Sequence, residues 1–180
     1  MLEPILDHCR GALVGLAVGD ALGAAVEWWR TGKYSVNGRC FDIGTTTTRA
    51  LNKFLATKDA SQSGDPSESA SGNGSIMRLA PVAIHYCRLF PDKIEALGRI
   101  AEESSLPTHA SAQCLSACRY MALVLCGLIH GEDRGKVLSP DWEPLAALKA
   151  AKPLHPQQEM ACGECGGCRN PTSTIDIHHG

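Results

Sequence analysis

Four glycines, Gly11, Gly15, Gly19 and Gly23, recur at every fourth position of the stretch from Gly11 to Glu27. This is the feature that most constrains the fold. A helix turns once per 3.6 residues, so the four glycines form one nearly straight ridge without side chains. Each costs roughly 1 kcal/mol of helix stability relative to alanine. Close approach of another helix or a ligand to the bare backbone is the compensating gain that such spacing predicts. Asp20 and Glu27 stand seven residues apart on this helix, which places both carboxylates on one face. An apolar helix with two acids on one face is either the floor of a site or a buried core helix, and spacing alone leaves both open. A membrane span is disfavoured, because the apolar run before Asp20 falls well short of the ~20 residues that cross a bilayer. A secretory signal is disfavoured by Glu3, Asp7 and Arg10 in the region that should be basic.

The remaining pattern is helical. Aromatic residues make up only 5% of the 180 residues, whereas small apolar residues are abundant, which favours tightly packed helices over a sandwich of sheets. A second helix is expected from Thr45 or Thr46 to about Ala56, with Leu51, Phe54 and Leu55 inward. A third carries Ile76, Leu79, Ala83 and Tyr86 on one face, with Pro81 within its first turns. A fourth runs from Asp92 to Glu103. A long fifth, capped by Thr108, runs from His109 to about His130 with a Leu115, Cys118, Ala122, Leu125, Ile129 stripe. A short sixth opens at Ser139-Pro140 and reaches Lys152. The predicted class is all-α, with a helical domain over residues 1–151. Apolar periodicity then ceases, and residues 152–180 read as an irregular Cys-, Gly- and His-rich tail.

Composition excludes several partners. A formal charge of −2 provides no electrostatic footprint for nucleic acid or an anionic membrane. The nine cysteines are odd in number and mostly scattered through apolar helical patterns, as expected for small buried hydrophobes in a reducing, cytoplasmic setting. Cys162, Cys165 and Cys168, with His178 and His179 beyond, have metal-ligand spacing, but they lack the apolar framework around which a structural zinc site is built.

Three segments are candidates for chemistry. In Ala70–Arg78, Gly72 and Gly74 allow close approach of a ligand. The N–H groups of Gly74, Ser75 and Ile76 are expected at a helix start suited to phosphate, with Asn73 and Ser75 as further donors. A flexible turn before an ordinary helix is the competing reading. His109, expected at a helix N-terminus, is predicted to be neutral and able to bond a hydroxyl, or else to be a capping residue. The run Asn37–Gly44 reads best as a structural turn, with Arg39 and Asp42 close enough in sequence to pair.

Taken together, these blocks resemble the ADP-ribosylglycohydrolase family. The match is carried by Arg10–Glu27, by Gly38–Gly44 leading into Ser71–Pro81 (Ser-Gly-Asn-Gly-Ser-Ile-Met-Arg-Leu-Ala-Pro), and by Thr108-His109 with the small-residue helix after it. The resemblance implies an all-α fold around an ADP-ribose cleft. It also implies hydrolysis of the glycosidic bond that joins ADP-ribose to a protein or small acceptor, with two Mg²⁺ or Mn²⁺ ions as cofactors. On the same basis Asp20 and Glu27 match the first-helix acids, with Glu27 near the ribose. Gly72, Asn73, Gly74, Ser75 and Met77 match the loop around the diphosphate and distal ribose, and His109 matches a histidine that contacts ADP-ribose. The family's Thr-Asp-Asp triplet and Asp-x-Asp-Thr motif, which hold the metals, do not occur in this sequence, and Glu27-Trp28-Trp29 passes almost directly to Gly38-Arg39-Cys40. Paired divalent ions need several carboxylates, so the expectation is weak or absent turnover, a shortened chain, and exposed apolar surface when it is produced alone.

Overall fold

A computed structural model describes residues 25–158. The glycine ridge, Asp20 and the cysteine tail from residue 159 onward lie outside the described residues. Eight α-helices follow in order: α1 (Ala25–Thr31), α2 (Thr45–Thr57), α3 (Gly74–Met77), α4 (Ala80–Tyr86), α5 (Ile94–Ser105), α6 (Ala112–Ile129), α7 (Arg134–Val137) and α8 (Glu143–Ala151). Short 3₁₀ turns lie at Glu68–Ala70 and Cys87–Leu89. Among the described residues there is no strand, only an isolated parallel bridge between Asp65 and His109. The chain is all-α, as its composition predicts.

The core is built around α6, which packs most extensively on α5 and also contacts α3, α4, α7 and α8. Leu79, Leu97, Ala122, Leu123, Leu145 and Leu148 are buried where these helices meet. By length and composition α6 is the one described helix that could span a bilayer, yet ten of its 18 residues, Arg119 among them, are buried against neighbouring helices. It is a core helix. Cys87, Cys114, Cys118 and Cys126 are buried within this assembly as free thiols. Burial, with the neighbouring Cys87, pushes the Cys126 thiol up to about 12.

Arg119 ties three helices together. Its Nη2 donates to the carbonyls of Leu148 (3.0 Å) and Lys152 (2.7 Å), and its Nη1 to that of Pro153 (3.3 Å). Leu148 O also accepts from Lys152 N–H (3.2 Å), and the guanidinium supplies the donors for the two carbonyls just beyond α8. Glu102 of α5 balances the charge, 3.6 Å from Arg119 Nε and 2.7 Å from Lys152 Nζ. His155 N–H donates to Ser116 Oγ (2.7 Å), and Leu154 is buried in the core. The packed body therefore extends past residue 151, the boundary that periodicity predicts. One leucine and a few backbone carbonyls dock this segment, and neither leaves a repeating signal.

Two helix boundaries also differ from expectation. The third predicted helix is two helices, because Pro81 lacks an N–H and its ring conflicts with the carbonyl four residues back. It sits instead in the first turn of α4. The long helix begins at Ala112 and is capped by Ser111, whose side chain accepts from Cys114 N–H (3.3 Å). Thr108 is not the cap: it closes a turn onto Ser105 O (3.1 Å), and residues 109–110 run beside Asp65, with Ala110 N–H bonded to Asp65 O (3.3 Å).

Candidate functional site

The loop between the Glu68–Ala70 turn and α3 lies directly on His109. A Cβ at Gly74 would stand 2.7 Å from His109 Cε1 and 3.1 Å from Nε2, and one at Gly72 would stand 3.5 Å from Nε2. Gly74 is thus required by contact with the imidazole, whereas Gly72 is not crowded. Ser71 Oγ bonds Ser111 Oγ at the α6 cap (2.9 Å), and the Cys114 thiol donates to Gly72 O (3.3 Å). The loop is held from beneath by the start of α6.

α3 is a single turn, with Asn73 as its N-cap residue. Its first backbone bond runs from Met77 N–H to Asn73 O (3.2 Å), which leaves the N–H groups of Gly74, Ser75 and Ile76 at the head of the turn. Asn73 and Met77 are exposed, Met77 at 77%. Ser75 is buried beside the Cys118 thiol, which interacts with its hydroxyl.

His109 is only 2% exposed and lies two residues before the α6 cap, not in the helix. Its Nδ1 bonds Thr108 Oγ1 (2.8 Å). Its N–H donates to Ser105 O (2.8 Å), and its own carbonyl accepts from Ser105 Oγ (2.6 Å). Burial, followed by the nearby Arg78 cation, lowers its pKa to about 4, so the imidazole is neutral at neutral pH. The expected neutral state is present, but burial and Arg78 produce it, not a helix terminus. The hydroxyl it meets is that of Thr108.

Arg78 is a member of this cluster to which the sequence reading gave no part. Its Nη1 donates to Gly74 O (3.4 Å), and its Nη2 to Ser104 O (3.1 Å) and Ser105 O (3.5 Å). The signal lay in its position next to the exposed Met77, but nothing local shows that it reaches the end of α5.

Glu27 makes its contacts within its own neighbourhood. It lies on α1, is exposed, and pairs with Lys33 Nζ at 2.6 Å, and that ammonium lowers its pKa. The Asn37–Gly44 run is a structural turn, in which Asn37 Oδ1 accepts from Ser35 Oγ (2.7 Å) and Arg39 N–H (3.2 Å). The structure therefore seats Gly74 on the His109 ring with Gly72 beside it, sets Asn73, Ser75 and Met77 on the same turn, and ties Glu27 to Lys33.

Divalent metal chemistry requires clustered oxygen donors. Among the described residues no group of three or more His, Cys, Asp or Glu side chains converges. These residues do not fit a pair of divalent ions.

The described residues form a helical body with a glycine loop seated on a buried histidine. The ADP-ribosylglycohydrolase family model matches residues 1–35 and 26–168, and the chain belongs to that family. It is 29% identical to an ADP-ribosylarginine hydrolase, Tri1, of Serratia proteamaculans (strain 568), over 78% of this chain and 52% of that protein. It is likewise 29% identical to an ADP-ribosylarginine hydrolase Tri1 of Pseudomonas putida (strain GB-1), over 77% of this chain and 51% of that protein. The chain spans about half the length of the curated relatives it matches.

Proposed function

We propose that this chain binds ADP-ribose at the Gly72–Met77 turn and that its hydrolysis of ADP-ribosylated arginine is weak. The seating of Gly72 and Gly74 on neutral His109 carries the reading. Backbone N–H groups at the head of the turn suit a diphosphate. The substrate class comes from the relatives, which act as ADP-ribosylarginine hydrolases by name. Glu27, an ionised carboxylate at neutral pH, would position the ribose or the attacking water.

Weak turnover follows from the donor set. Among the described residues no carboxylates cluster to hold two divalent ions, and the Thr-Asp-Asp and Asp-x-Asp-Thr motifs do not occur in the sequence. The Serratia alignment supports an internal shortening: it runs over 200 residues, whereas 78% of 180 residues is about 140, so some sixty residues of the relative face a gap. The overlap of the two family matches at residues 26–35 supports a gap beside Glu27. The same observations favour a second reading, a non-catalytic ADP-ribose-binding protein.

Calorimetry with ADP-ribose, followed by an assay for release of ADP-ribose from an arginine-modified protein, tests both. Binding lost in Gly74→Val, with slow release abolished by EDTA and by Glu27→Gln, supports the hydrolase. Binding without release supports the second reading. Absence of binding to the folded chain overturns both.

A further inference from the structure

We infer that Arg78 is a positioning residue for the ADP-ribose-binding turn: its guanidinium clamps Gly74 to the C-terminal end of α5 and so fixes the glycine backbone against His109. This rests on the functional reading above, but the clamp is defined by contacts of its own. One nitrogen holds the turn at Gly74 O, and the other reaches Ser104 O and Ser105 O. At the end of α5 the guanidinium supplies a donor to Ser104 O and adds to Ser105 O, which already accepts from Thr108 and His109 N–H. Ser105 is also the residue that grips His109, through its carbonyl and its hydroxyl. One side chain thus joins both halves of the site, the turn and the histidine, by way of a shared residue.

Arginine suits the task and lysine does not. A planar fork can donate in two directions at once, toward α3 and toward α5, whereas an ammonium is a point charge that favours one of them. The position of the cation adds a second effect. It disfavours a proton on His109 and so extends the pH range over which the imidazole stays neutral.

Two substitutions in the full chain separate these effects. Arg78→Lys keeps the charge and loses the fork, while Arg78→Met loses both. Amide hydrogen exchange at residues 72–76, the His109 titration followed by NMR, and calorimetry with ADP-ribose between pH 5 and 7 are the readouts. In Arg78→Lys the turn amides are expected to exchange about tenfold faster and Kd to weaken about tenfold, as for loss of one charge-assisted hydrogen bond, with the His109 titration little changed. In Arg78→Met the His109 titration is expected to move upward, and the turn amides to exchange at least as fast as in Arg78→Lys. Unchanged exchange and an unchanged His109 titration in both folded variants overturn the proposal. If the parent chain does not bind ADP-ribose but exchange and titration shift as stated, the positioning role stands and the functional reading fails.

Discussion

Gly74→Ala isolates the contact on which the site is built. The added Cβ would lie 2.7 Å from His109 Cε1, whereas carbon atoms pack without strain at about 3.5–4.0 Å. The ring has little room to retreat, because Nδ1 is bonded to Thr108 and the His109 backbone is bonded to Ser105 on both sides. Overpacking of this kind costs about 1–3 kcal/mol. Reduced entropy of the unfolded chain returns about 0.4–1 kcal/mol, so a net loss of about 1–2 kcal/mol is expected. Urea unfolding of Gly74→Ala, His109→Ala and the double variant measures it. If collision is the cause, the methyl group occupies space vacated by the imidazole, and Gly74→Ala becomes neutral in the His109→Ala background, with a coupling energy of about 1–2 kcal/mol. Gly72→Ala is the internal control: its Cβ meets His109 Nε2 at an ordinary 3.5 Å, and a change within about 0.5 kcal/mol is expected. An equal cost for Gly74→Ala with and without the histidine ring would refute the reasoning.

Stability should fall on acidification between pH 6.5 and about 4, because the unfolded chain takes up a proton on His109 that the native chain refuses; the loss from this residue is about 2 kcal/mol at pH 5 and disappears in His109→Gln, as urea midpoints against pH will show. Gly127→Ala should lose about 1–3 kcal/mol despite alanine's better helix propensity, since its Cβ would meet the Trp142 Cη2 and Cζ2 atoms at 2.7 Å and Val137 Cγ1 at 2.9 Å; calorimetric melting checks the sign. Arg119→Met should cost about 1–3 kcal/mol by leaving the carbonyls of Lys152 and Pro153 without their donor while Glu102 keeps Lys152, and faster amide exchange confined at first to residues 143–155 is the signature to look for.

The helices were legible where local pattern and local chemistry agree. α2 starts at Thr45, although Gly44 and not a threonine is its N-cap residue, and Cys118 and Ala122 of the predicted stripe are buried in the core, with Leu115 and Leu125 partly buried and Ile129 exposed. The boundaries that moved were set by partners distant in sequence. Asp65 holds residues 109–110 extended and delays α6 until Ser111, and no feature near Thr108 announces that bridge. The start of α8 moved from Ser139 to Glu143, with Trp142 buried against Gly127 on α6. The same holds for the site. Glycine spacing marks the turn, but only the folded chain reveals that Gly74 is required by the His109 ring and that Arg78 spans two helices.

The four sealed thiols give this chain an internal gauge of its own breathing. A thiol dye meets them only when the surrounding helices part, so each labelling rate clocks a local opening. Cys114 hangs from the carbonyl of Gly72 and should report departure of the turn from its seat. Cys126, bonded to Ala83 O deep between α4 and α6, should respond only to separation of the core. The ratio of the two rates would tell a ligand that quiets the turn from one that tightens the whole body, without any engineered label.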